Sequence, residues 1–126
     1  MKILLAEDDS SIQLIARVAL ARVGGHDVTV VKNGVEALAE LTKTKPDLII
    51  LDVMMPLLDG FETCTQIKNS ESLKEIPVIF LTAKAQTHEQ HHGMSLGAIG
   101  YILKPFDPMT LHLQIEELLK THAKAA

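Results

Sequence analysis

Four places along the chain hold the side chains best able to do chemistry. Three carboxylates stand in a row at Glu7-Asp8-Asp9, and a lone carboxylate, Asp52, closes an apolar stretch. A hydroxyl, Thr82, precedes the small Ala83, and an ammonium, Lys104, precedes Pro105. Each site directly follows a short apolar run: residues 3–6, 48–51, 78–81 and 101–103. If the first two runs are neighbouring strands, about 4.8 Å apart, Asp8 and Asp52 nearly touch. Like charges that close repel strongly in a partly desolvated cleft. A hard divalent cation relieves the repulsion, and Mg²⁺ (or Mn²⁺) suits carboxylate ligands while keeping room for water and a phosphate oxygen. An aspartate beside such an ion, an ammonium and a hydroxyl is equipped for phosphoryl chemistry. The carboxylate is the nucleophile, and the cations steady charge on the transferring group.

The elements that must position these groups are legible too. The apolar runs, together with a fifth at residues 28–31, are continuous rather than alternating, as in strands buried on both faces. Helical patterns fill the gaps. Ile12, Ile15, Ala16, Ala19 and Val23 share one face, with Ser10 or Ser11 as the expected cap. Asn33-Gly34 opens a second helix and Asp59 a third, through Phe61, Cys64 and Ile67. Asp107-Pro108 opens the last, an N-cap followed by proline at the first helical position. The polar stretch from Gln86 to Leu96 must cross between two strands, yet it holds three histidines and Gly93. Five β-α units imply a parallel sheet with right-handed crossovers and helices on both faces. In such a sheet chemistry gathers beyond the carboxyl ends of the strands, where the four sites fall.

Composition bounds the rest. The 126 residues, 47% hydrophobic and 22% charged, suit one domain spanning 1–126 with an ordinary core. The net charge of −4 and the lack of a basic run argue against direct nucleic-acid binding. The single cysteine, Cys64, cannot form an internal disulfide, so a reducing, cytoplasmic setting is expected. No apolar run approaches the ~18 residues of a membrane helix, so no membrane insertion is expected.

Taken together, ILLAEDD at 3–9, DVMMPLLDG at 52–60, FLTA at 80–83 and YILKPF at 101–106 resemble the receiver domain of two-component response regulators. The resemblance implies a flavodoxin-like doubly wound sheet in the order 2-1-3-4-5, an order the residues alone do not supply. It implies that Asp52 is the phosphoacceptor, charged by a sensor histidine kinase or a phosphotransfer protein. Glu7 and Asp8 would hold Mg²⁺ with Asp52 and the backbone carbonyl of Met54, Asp8 being the direct ligand of the acidic pair. Thr82, Ala83 and Lys104 would contact the phosphoryl group, and Tyr101 would be an aromatic switch turning inward as Thr82 moves. The Lys104-Pro105 bond is expected to be cis, and the helix 4–strand 5–helix 5 face to bind a downstream protein or a second copy on phosphorylation. Met54 and Lys84 occupy positions that tune phosphoryl loss in this family. Neither is an obvious positioner of water, so slow self-dephosphorylation follows. With no output domain, a stand-alone receiver is expected.

Blander readings stand beside these. Asp9 reads as a cap or a surface charge, and Asp59-Gly60 as turn and cap chemistry. Cys64 reads as a small core residue. His88-Glu89-Gln90-His91-His92 matches H-E-x-x-H, but Ala98 stands where the extended zinc motif needs a third ligand, so a polar helix or a pH-sensitive partner surface fits better. Two rival functions remain. One is a degenerate receiver that binds partners without phosphorylation. The other is a metal-dependent aspartyl phosphohydrolase, against which stand the nucleophile's place on the third strand and the lack of a cap domain.

Overall fold

A computed structural model of the chain describes residues 1–83 and 87–125. Five strands, β1 (Lys2–Ala6), β2 (Asp27–Val31), β3 (Leu48–Asp52), β4 (Val78–Thr82) and β5 (Gly100–Leu103), form one parallel sheet in the order β2-β1-β3-β4-β5. The helices are α1 (Ser10–Arg17), α2 (Gly34–Leu41), α3 (Gly60–Lys68), α4 (Thr87–Ser95) and α5 (Leu111–Ala125). α1 continues through one π-helical segment, Val18–Val23.

The continuous apolar runs are explained by alternation across the pleat. Ile3, Leu5, Leu48, Ile50, Ile79 and Leu81 face Ala16, Ala19, Leu20, Leu111 and Ile115 of the α1 and α5 side. Leu4, Ala6, Ile49, Leu51, Val78 and Phe80 face Ala37, Leu41, Cys64 and Ile67 of α2 and α3. Both faces of β1, β3 and β4 are dry, so these strands need no polar residue until their ends. The edge strands depart from the expected double burial: β2 has no fully buried residue and exposes Thr29, and β5 exposes Leu103.

The caps show where local reading holds and where it shifts. Asn33 caps α2 by accepting from Glu36 N, and Asp59 closes a capping box with Glu62 on α3. At α1 the cap is Asp9, not Ser10 or Ser11. Asp9 holds the extended backbone and its Oδ1 accepts from Ser11 N and Ile12 N, a stronger charge-assisted cap than a hydroxyl. Asp107 caps a turn rather than α5 itself. Its Oδ1 accepts from Met109 N, and its carbonyl accepts from Thr110 N and Leu111 N before the regular helix begins at Leu111. The expected apolar stripe of α1 holds in part. Ala16 and Ala19 are buried, joined by Leu20 at i+4 from Ala16, while Ile15 is 43% exposed. Among the described residues no helix is long and apolar enough to cross a membrane.

Candidate functional site

The register of the sheet brings the four chemical sites to one rim. β1 pairs with β3 through Ala6 and Leu51, so the next residues, Glu7 and Asp52, stand side by side. β3 pairs with β4 through Asp52 and Leu81, and β4 with β5 through Thr82 and Leu103. Backbone bonds continue the ladder past the strand ends. Glu7 N donates to Val31 O, Val53 N to Leu81 O, and Lys104 N to Thr82 O at 2.8 Å. Tight packing locks the rim from below: a methyl on Gly60 would lie 2.3 Å from the Asp52 carbonyl oxygen, so only glycine lets α3 start that close to β3.

Glu7 is fully buried and Asp52 is 3% exposed, while Asp8 faces solvent. One carboxylate oxygen from each of the three lies within 4.8 Å of the other two. Lys104 Nζ sits between the buried pair, 3.0 Å from Glu7 Oε1 and 3.2 Å from Asp52 Oδ1. Two buried carboxylates thus share one ammonium, and the charge they carry in full ionisation is not balanced by it.

The titration of Glu7 expresses that imbalance. Burial first, then hydrogen bonding with Asp52, push its carboxyl up to about 7, against the opposing pull of Asp9 N and Lys104. Burial alone would lower the Lys104 ammonium. The bond to Glu7 and the attraction of Asp52 outweigh it and hold Lys104 above its ordinary value. A crowded set of oxygen donors, one of them half-willing to keep a proton at neutral pH, is chemically suited to a hard divalent cation.

The remaining expected residues fall around this cluster. Thr82 is buried at the end of β4, and Ala83 is exposed beside it. The Lys104-Pro105 bond is cis. Met54 turns its side chain outward, 70% exposed, and Lys84 lies outside the described residues. Tyr101 is half-buried on β5, its ring packed 5.5 Å from that of Phe80 and its hydroxyl donating to Glu89 O of α4 at 2.7 Å. The tyrosine is therefore already tucked beneath α4. Cys64 is buried in the core, as expected of it, with burial raising its thiol to about 11. His88, His91 and His92 sit on α4, with His92 exposed and packed edge-on against Phe61. Among the described residues the Glu7, Asp8 and Asp52 group is the one set of three or more ligand side chains within metal-binding reach, and the histidines do not form another.

Sequence reading did not find two things. It placed Lys104 opposite a phosphoryl group, without pairing it to Glu7. It also overlooked Gly93 and Gly60 as close-contact positions, although a glycine inside a helical pattern is the available signal for the first.

Known proteins share this fold. Residues 3–116 match the family described as the response regulator receiver domain. The chain is 38% identical over 125 residues to the alkaline phosphatase synthesis transcriptional regulatory protein PhoP of Bacillus subtilis, covering 99% of this chain and 51% of that protein. Its structure resembles that of the chemotaxis response regulator CheY4 of Vibrio cholerae, with a TM-score of 0.87, 32% identity, and 93% of this chain and 97% of that chain covered. It also resembles the Mn(2+)-bound form of response regulator Rcp1, with a TM-score of 0.79 and 26% identity over 93% of this chain and 90% of that chain. The chain spans about half the length of the curated relatives it matches.

Proposed function

This chain belongs to the response regulator receiver domain family, and from that premise we propose that Asp52 takes a phosphoryl group from a phosphohistidine of a sensor kinase or phosphotransfer protein. One observation carries the reading: three carboxylates and one ammonium meet at the strand ends, with Asp52 touching Lys104 at 3.2 Å and sharing ligand reach with Glu7 and Asp8. A receiver is a phosphoacceptor switch rather than an enzyme with a separate substrate. Neither a degenerate receiver nor a phosphohydrolase has an observation in its favour.

The chemistry follows from the residues. An Asp52 carboxylate oxygen attacks phosphorus, the O–P bond forms as the donor's N–P bond breaks, and the histidine nitrogen keeps the electron pair. Burial strips water from Asp52 and leaves Lys104 to orient it. Lys104 would then face the new phosphoryl oxygens, and Thr82 and the Ala83 backbone would bond them. Glu7, Asp8, Asp52 and the Met54 carbonyl would hold Mg²⁺ or Mn²⁺. When bound, the ion supplies neutralisation of phosphoryl charge. The Mn(2+)-bound form of response regulator Rcp1, a related fold, supports such an ion here.

Outward-facing Met54 offers no group to orient an attacking water, which supports a long-lived aspartyl phosphate. The face built from α4, β5 and α5 is where a downstream protein, or a second copy after phosphorylation, would dock. A cytoplasmic setting agrees with the one buried, unpaired cysteine.

The test is intact mass after incubation with a small-molecule phosphodonor, with and without Mg²⁺. A Mg²⁺-dependent gain of one phosphoryl group, absent in Asp52→Asn, is expected. No gain on a folded, Mg²⁺-binding chain would favour the degenerate receiver, and loss of the group within seconds would overturn its slow decay.

A further inference from the structure

α4 carries little that should hold a helix against a core. Its sequence, THEQHHGMS, has Met94 as its one large apolar residue, and that side chain is exposed. Gly93 weakens it further, because glycine is the poorest helix former after proline. Yet Gly93 is the one buried position among the described residues of this helix.

What buries it is Tyr101. A Cβ at position 93 would stand 1.8 Å from the Tyr101 hydroxyl oxygen, 2.8 Å from the Cζ that bears it, and 2.9 Å from Phe80 Cε2. The first two atoms belong to one rigid ring lying against Phe80, and Phe80 is held edge-on by Phe61, so the obstacle cannot bend away as a flexible tip would. The hydroxyl fills the space a side chain would take. From there it donates to Glu89 O, one helical turn before Gly93, so the bond and the gap belong to the same turn. The phenol titrates above its ordinary range, chiefly through burial and despite a backbone bond from Gly93 that favours the phenolate.

We propose that Gly93 is a positioning residue whose missing side chain forms a socket in α4 for the Tyr101 hydroxyl, and that this seat, more than apolar packing, holds α4 to the sheet in the resting chain. α4 and Tyr101 then move as a pair: the tyrosine cannot leave without freeing the helix. That this pair relays phosphorylation rests on the function proposed above. The resting seat itself does not.

Tyr101 is the only tyrosine and the chain has no tryptophan, so intrinsic fluorescence and phenol absorbance report this residue alone. The measurement uses the chain without phosphodonor or Mg²⁺, so its result is independent of whether Asp52 accepts phosphate. In Gly93→Ala, acrylamide quenching is expected to rise about twofold or more and the phenol titration to move toward lower pH, with the ring driven into solvent. In Tyr101→Phe, amide exchange in residues 89–95 is expected to quicken about tenfold while β4 is unchanged. Unchanged quenching and titration in Gly93→Ala, with the higher melting temperature that alanine ordinarily brings to a helix, would overturn the socket. Where Gly93→Ala does not fold, the exchange of Tyr101→Phe decides, and unchanged α4 protection there overturns the proposal.

Discussion

α3 and α4 are both nine residues long and touch each other through Phe61 and His92, yet different forces hold them. α3 buries Cys64 and Ile67 against β3 and β4 and is closed by the Asp59–Glu62 capping box. α4 meets the sheet through the Tyr101 hydroxyl, and meets α3 through the edge of His92 against Phe61. Burial stabilises in proportion to area, and close-packed contacts are lost when a helix shifts by a fraction of an ångström, so together they make α3 a fixed wall behind Asp52. One hydrogen bond is directional and contributes only about 0.5–1.5 kcal/mol net, so it makes α4 conditional. A signalling domain needs both kinds of helix: one to keep the acidic cluster in register and one that a small chemical change can release.

The contrast is open to direct attack. Ile67→Ala, at a fully buried position, should cost about 2–5 kcal/mol in denaturant unfolding, while Met94→Ala on α4 should fall within about 0.5 kcal/mol. Comparable losses at the two would erase the distinction.

The second largest effect concerns the wall's cargo. Glu7 ordinarily titrates near 4.5 and stands at about 7 in the fold, so the folded state binds its proton more tightly than the unfolded chain. The resulting stability is full below about pH 4.5 and is lost as pH rises through 7. Metal-free protein should therefore melt lower at pH 8 than at pH 5, by an amount on the order of 3 kcal/mol at most. Asp52→Asn should flatten the slope, and Mg²⁺ should raise the melting temperature more at pH 8 than at pH 5. A flat profile in the unmodified, metal-free chain would mean the carboxylates do not press on one another.

Smaller changes sharpen the picture. Asp59→Ala removes a bond of 2.8 Å to Glu62 N and opens the capping box, and should cost about 1 kcal/mol. Amide exchange should then quicken at the start of α3 and leave α4 as it was. The smallest effect expected is at Leu57. It holds φ 68 at 81% exposure, in a turn closed by Leu58 N to Pro56 O, the one non-glycine residue with positive φ among those described. Leu57→Gly should stabilise the chain by about 0.5–1 kcal/mol, because the left-handed conformation penalises a Cβ. A loss of stability there would show that the leucine side chain, exposed as it is, makes a contact worth more than the strain.

Local features were legible because their physics is short-ranged. Asn33 and Asp59 cap helices by bonding amides three residues away, and the runs that became β1, β3 and β4 needed only their own composition to read as doubly buried strands. The equally apolar runs of β2 and β5 ended at the sheet edges and are only partly buried. Misreadings arose where local choices compete. Asp9, Ser10 and Ser11 could each cap α1, and the carboxylate won. Asp107 could start a helix or a turn, and the chain took a turn first.

By itself the amino-acid sequence determined the β-α order and which chemical groups end each strand, since period, propensity and neighbouring residues suffice for these. Tertiary structure decided their pairing. Glu7 meets Lys104 across 97 positions only because β1, β3, β4 and β5 align in one register. Tyr101 finds its seat only because β5 brings it beneath a helix whose glycine leaves room. Such contacts depend on the three-dimensional addition of many weak preferences, and no stretch of chain short enough to be read alone contains both partners.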